Sequence, residues 1–297
     1  MKQTLPKPAD TLETIPRMPG WVSATRPETS HDDAFLSGAA LATLHMMLAR
    51  SEIPQALLRD RLALRAAEAC VVFAGRSERA GDLRDEIHLL RAGDNAGPAG
   101  TLYQTWQRAV SQKVSLKSLH RALRAQNPQQ IAVWMGAEQG NPVDRAAHVL
   151  EAAIRDVPEA EEVALILADA TLAQMMGWGR LVPLFAISLN GRDLRMTGKD
   201  LRRACHRSVV ASAVTVVQTG GDLARRVARL QAVRPKLRSK AASQAVDAFL
   251  TRDALAPSVA LTDFMSGRSA RRLCDRLVEL GVVRELTGRD SFRLYGV

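Results

Sequence analysis

Apolar residues recur along this chain with the period of a helix rather than a strand. In "PQALLRDRLALRAAEACVVFAG", Leu57, Leu58, Leu62, Ala66, Ala69, Cys70 and Phe73 share one face, the spacing of a buried helical stripe. Pro54 stands where such a helix begins and Gly75 where it ends, the usual start and stop asymmetry. Similar spacing predicts helices in "AFLSGAALATLHMMLAR" behind a cap at Asp32 or Asp33, across Ser77–Gly93, in "TLYQTWQRAVSQ", and from Leu116 to Trp134 with a break at Pro128. It continues in "VDRAAHVLEAAIRDV" and in three later segments, Lys199–Val217, Asp222–Val233 and Ser239–Thr251. The window Val163–Leu189 is the most apolar. Asp169, Arg180, Gly177, Gly179 and Pro183 interrupt it, so it reads as a buried helix, a turn and a second short helix, not a membrane span.

Residues 1–33 contain five prolines and read as a largely irregular N-terminal arm. Period-two alternation is nearly absent before residue 281. The expected architecture is mainly α, with an all-α, multi-helix bundle over 34–235 made of roughly eight to ten helices.

The end of the chain breaks the pattern. Between Arg268 and Leu280 the apolar positions Ala270, Leu273, Leu277 and Leu280 make one face, while Arg268, Arg271, Arg272, Asp275, Arg276 and Glu279 make the other. Ser266 or Ser269 can cap this helix and Gly281 can end it. "VVREL" and "SFRLYGV", joined by "TGRD", then read as a β-hairpin. Helix, short helix, turn, arginine-faced helix and hairpin over 236–297 predict a C-terminal winged helix-turn-helix, whose second turn helix enters a DNA major groove. Asp275 and Glu279 on the same face either weaken it electrostatically or pair with Arg271, Arg272 or Arg276 one turn away.

Charge strengthens this expectation. The net charge is +10, and residues 221–297 carry 15 Lys/Arg against 8 Asp/Glu. A basic region of this kind suits a polyanion. Ala224–Lys240 holds seven Lys/Arg and no acid; part of it reads as helix, and its "RPKLRSK" end reads as a linker fitted to phosphate. The expected DNA-contacting residues are Arg268, Arg271, Arg272 and Arg276 in the groove. Arg289 and Arg293 on the wing, with Lys236, Arg238 and Lys240 in the linker, are expected to meet phosphate.

Catalytic and metal signatures are missing. Cys70, Cys205 and Cys274 are far apart and read as small core residues. The six histidines, His31, His45, His88, His120, His148 and His206, lack metal-ligand spacing. The best polar constellation is "GDLRDEIHLLRAGDNAGPAG", where Arg84, His88 and Arg91 share a helical face near Asp82, Asp85, Glu86 and Asp94. It suits a salt-bridge network better than acid–base work. No catalytic residue, cofactor or metal is expected.

Four stretches resemble one family: "DDAFLSGAALATL", "LRDEIHLLRAGDNAGPAG", "LILADATLAQMMGWGRLVPL" and "RRLCDRLVELGVVRELTGRDSFRLYG". It is the domain-of-unknown-function family numbered 1403, of rhizobia and related alphaproteobacteria, often plasmid-borne. The resemblance implies a cytoplasmic bacterial protein tied to mobile elements and carries no catalytic residues. The closing stretch is also similar to the winged-helix tails of Fic-type proteins, but the HPFxxGNGR motif of Fic adenylyltransferases is absent. The expected function is DNA binding, of transcriptional-regulator or plasmid-maintenance type, in a cytoplasmic protein without membrane contact whose body forms a homodimer or senses an effector. The alternative is a protein-interaction adaptor, and an enzyme built on the Asp82–Asp94 cluster is a third reading.

Overall fold

A computed structural model describes residues 15–90, 93–136, 140–157, 160–237 and 240–297. Residues 1–14 of the expected arm, Arg91 and Arg238 lie outside the described residues, as does the side chain of Lys240. Fourteen α-helices are present among the described residues.

A short α1 (Gly20–Ala24) precedes α2 (Ser30–Leu48). The cap of α2 is neither Asp32 nor Asp33. Thr29 takes that place, accepting from Asp32 N while the Asp32 side chain accepts from Thr29 N, a capping box that satisfies both orphan donors. Asp33 is free to turn inward, where it is buried and pairs with Arg203 and Arg207 at 2.8 and 2.9 Å.

Next come α3 (Gln55–Phe73), α4 (Ala80–His88), α5 (Pro98–Ser111), α6 (Leu116–Ala122), α7 (Pro128–Met135) and α8 (Pro142–Asp156). Pro98, Pro128 and Pro142 each open a helix, where the missing N–H costs nothing. The apolar window resolves as expected into α9 (Glu161–Met175), a turn through Gly177 at φ 66°, and α10 (Phe185–Ser188). No helix among the described residues is long and apolar enough to cross a membrane.

Two of the three expected later segments are one helix, α11 (Gly198–Val233), 36 residues long. Gly220 and Gly221 do not break it, because both are buried in its packing. A Cβ on Gly220 would lie 2.9 Å from Met47 Sδ of α2, so glycine there permits close helix approach. The helix runs past α2, α8, α10 and α3 and serves as the body's central strut. After a 3-10 turn at Arg234–Lys236 come α12 (Lys240–Phe249), α13 (Pro257–Ala260) and α14 (Gly267–Glu279).

The chain closes with β1 (Arg284–Glu285) and β2 (Tyr295–Gly296), antiparallel, with Arg284 opposite Gly296 and Glu285 opposite Tyr295. The strands are shorter than "VVREL" and "SFRLYGV" suggest, and the intervening loop, 286–294, is longer than "TGRD". Gly288 at φ 62° and Phe292 at φ 53° turn the chain out of strand geometry there. An additional bridge pairs Leu255 with Tyr295. One continuous buried core contains body residues such as Leu62 and Leu223 together with Cys274, Leu277 and Tyr295 of the tail. All three cysteines are buried and unpaired.

Candidate nucleic-acid interface

The arginine helix is built as a face and a back. Ala270, Cys274 and Leu277 are buried, and Leu273 and Leu280 are half-buried. Ser266 caps its start, accepting from Ser269 N. That orientation leaves Arg268, Arg271, Arg272 and Arg276 exposed on the opposite side. Arg276 is taken up by Glu279, 2.9 Å away. Asp275 accepts from the Tyr295 hydroxyl at 3.2 Å and makes no ion pair among the described residues. Among the described residues Arg268, Arg271 and Arg272 belong to no ion pair. Three uncompensated guanidinium groups therefore stand within about one helical turn.

The hairpin beside them is tied to the body. Arg289 forks onto both oxygens of Asp85 on α4, at 2.6 and 2.8 Å. The Asp85 carboxylate pushes its pKa upward. Arg293 donates to Arg289 O at 2.8 Å and lies 3.6 Å from Asp290. Arg271 and Arg293 line a shared concavity of about 320 Å3 with Asp275, Asp290 and Phe292. Lys236 is exposed in the 3-10 turn, while its neighbour Arg234 grips Asp247 at 2.7 and 2.9 Å.

Several contributors escaped sequence reading. Arg284 on β1 is exposed and faces α11. Burial pushes the Arg226 pKa down, and the charges of Arg284, Arg61 and Arg229 add to this. Arg226 and Arg229 lie in the basic run at 224–240, while Arg61 is engaged by Asp253.

The joint between tail and body is held by Asp253, fully sealed from solvent. Its carboxylate receives Arg61 Nε at 2.6 Å and Arg84 Nε at 2.5 Å. Its backbone N–H donates to Asp60 at 2.7 Å. Arg61 also donates to Val297 O at 3.2 Å. Burial alone would raise the Asp253 pKa, yet the two guanidinium charges hold it below the ordinary value. The polar constellation around α4 is dispersed by these contacts. Arg84 goes to Asp253, Asp82 to the N-terminus of its own helix, Asp85 to Arg289, and Glu86 to Gly100 N at 2.6 Å. His88 is left with Nε2 buried and unpaired, and burial brings its pKa down to about 4. No cluster of metal-ligating side chains exists among the described residues.

A family model described as "Protein of unknown function (DUF1403)" matches residues 6–297, nearly the whole chain. The chain belongs to the DUF1403 family. The resemblance read from the four quoted stretches is thus borne out over their full span. Within the DUF1403 match fall both the helical body and the arginine-faced tail. No curated protein matches the chain significantly.

Proposed function

We propose that residues 240–297 of this DUF1403 protein form a winged helix-turn-helix and that the chain binds DNA through it. In this reading α13 and α14 are the two turn helices, the Leu255–Tyr295 bridge extends the sheet, and loop 286–294 is the wing. The supporting observation is that Arg268, Arg271 and Arg272 stand exposed on α14 without an acidic partner among the described residues. Arginine suits the task because its planar fork matches guanine edges and phosphates alike. Arg226, Arg229 and Arg284 extend the positive surface beside the wing. Arg289 contributes little to phosphate contact in this arrangement, since Asp85 already occupies its fork.

The test is fluorescence anisotropy with a random-sequence duplex at two salt concentrations. Three neutralised phosphates give a slope of log affinity against log salt of about −2.7. Arg271→Ala with Arg272→Ala should weaken binding and flatten that slope by about 2. Absence of binding at low salt, or binding indifferent to the double substitution, would refute the reading.

A protein-interaction adaptor is the second reading. It draws on Phe292, which is 61% exposed at the hairpin loop, since exposed aromatics are enriched where proteins meet. DNA binding that survives Phe292→Ser unchanged but fails in the arginine variant separates the two readings. Asp82, Asp85 and Glu86 cap helices or hold the tail, so we assign the cluster a structural role rather than an enzymatic one.

A further inference from the structure

A cavity of about 460 Å3 opens between α2, α3 and the turn that follows α9. Three cations line it, Arg59, Lys113 and Arg180, and neither Asp nor Glu does. They come from separate parts of the fold: α3, the residues just past α5, and the turn after α9. An antiparallel bridge sets Lys113 opposite Arg180, with Val114 N donating to Gly179 O at 3.2 Å. None of the three is in an ion pair among the described residues.

Among the described residues Arg59 reaches only a neutral acceptor, Gln55 Oε1, at 3.4 Å. Gln55 is itself held by donating to Leu48 O at 2.8 Å. Burial, helped by the Arg180 charge, brings the Arg59 pKa down to about 10. Gathering cations without a counter-charge is unfavourable, and a bound anion removes both the repulsion and the desolvation penalty. Trp178 donates its indole N–H to His45 Nδ1 at 3.1 Å. A neutral His45 therefore carries its proton on Nε2 and keeps a second donor at the rim. Trp178 is 9% exposed and, with Leu48 and Val182, supplies an apolar wall.

We propose that this cavity binds a small organic phosphate. The dianionic group is held by Arg59, Lys113 and Arg180, and the organic part rests against Trp178. The volume lies in the range of small-molecule sites and exceeds what inorganic phosphate fills. The site belongs to the helical body and shares no residue with α14, so it stands or falls apart from the DNA reading.

Equilibrium dialysis of the full chain against phenyl phosphate, inorganic phosphate and phenol tests it. Phenyl phosphate should bind saturably with one site per chain, more tightly than inorganic phosphate, and phenol should not bind. Arg59→Gln with Arg180→Gln should weaken phenyl phosphate by about tenfold or more. Lys113→Gln alters an exposed side chain and should weaken it by a smaller factor in a protein of unchanged circular dichroism, so the proposal can be judged even if the double variant fails to fold. It is overturned if no phenyl phosphate is retained at about 10 mM, if phenol binds as well, or if Lys113→Gln binds like the wild type. It is also overturned if phenyl phosphate binds no better than inorganic phosphate. Displacement of phenyl phosphate by duplex DNA, with duplex affinity falling in Lys113→Gln, would instead assign these cations to the nucleic-acid surface.

Discussion

Arg61 and Arg84 end on a carboxylate that no solvent reaches, whereas Arg268, Arg271 and Arg272 are exposed on α14 and make no ion pair among the described residues. The two sets are chemically identical and do opposite work. At the joint, guanidinium charge compensates a buried Asp253 and fastens the last strand to the body. On α14 the charge compensates nothing within the described chain and is available to a polyanion. Under the proposed DNA reading, the distinction separates arginines that the fold needs from arginines that the ligand engages, and substitutions on each side should divide stability from binding.

The largest effect should come from Asp253→Ala. It strands two guanidinium groups that are only 19% and 21% exposed, and removing one partner of a buried pair costs about 3–5 kcal/mol. A urea titration checks this, and a loss under about 1 kcal/mol would show that the joint is not what holds the tail. Because Asp253 is held below the ordinary carboxylate value, its contribution is present above that value and is lost as pH falls through the folded pKa.

Gly296→Ala attacks the same joint through the backbone. A Cβ there would sit 2.5 Å from Asp253 O and 3.0 Å from Leu286 Cδ1. The backbone oxygen cannot swing aside, so a loss of about 1–3 kcal/mol is expected. The same urea titration measures it, and loss of protease resistance in the tail should accompany it.

Asp169 supplies the contrasting buried acid. Among the described residues it makes no ion pair; Oδ1 accepts from Leu184 N and Phe185 N at 2.8 and 3.1 Å, and Oδ2 has no hydrogen-bond partner. Burial lifts its pKa to about 7. The sign is therefore opposite to that of Asp253: its stabilising contribution is full below about pH 4 and is lost as pH rises to about 7. The loss proceeds at no more than about 1.4 kcal/mol per pH unit. Urea midpoints of the wild type and Asp169→Asn should show the wild type's relative stability falling from pH 5 to 7.5; a constant gap would refute this.

How much of this was readable beforehand depended on how local the cause is. The face and back of α14 follow from residue spacing alone, and the break expected at Pro128 is where α7 begins. The gap expected between Lys199–Val217 and Asp222–Val233 closes into α11, where Gly220 packs against Met47, which only the folded chain brings near. The cap of α2 was misplaced by a few residues for a similar reason: Asp33 has the right chemistry for a cap but is drawn inward by Arg203 and Arg207, 170 and 174 residues away. Asp253 carries no local signal whatever, since its partners Arg61 and Arg84 lie 192 and 169 positions off. The cation-lined cavity is likewise assembled by a bridge between two turns, which no periodicity announces.

The smallest expected change in stability is also the sharpest divider. Replacing Arg268, Arg271 and Arg272 together by Ala removes three charges that make no ion pair among the described residues and lie on the solvent side of α14. Alanine is at least as good a helix former as arginine, and surface substitutions of this kind usually stay within about 0.5 kcal/mol each. The triple variant should therefore unfold at nearly the wild-type urea concentration while its duplex affinity falls. If it unfolds markedly earlier, these arginines belong with those of the joint, and the surface they form has a structural use. If stability holds and affinity falls, the division between the two sets is the division between fold and ligand.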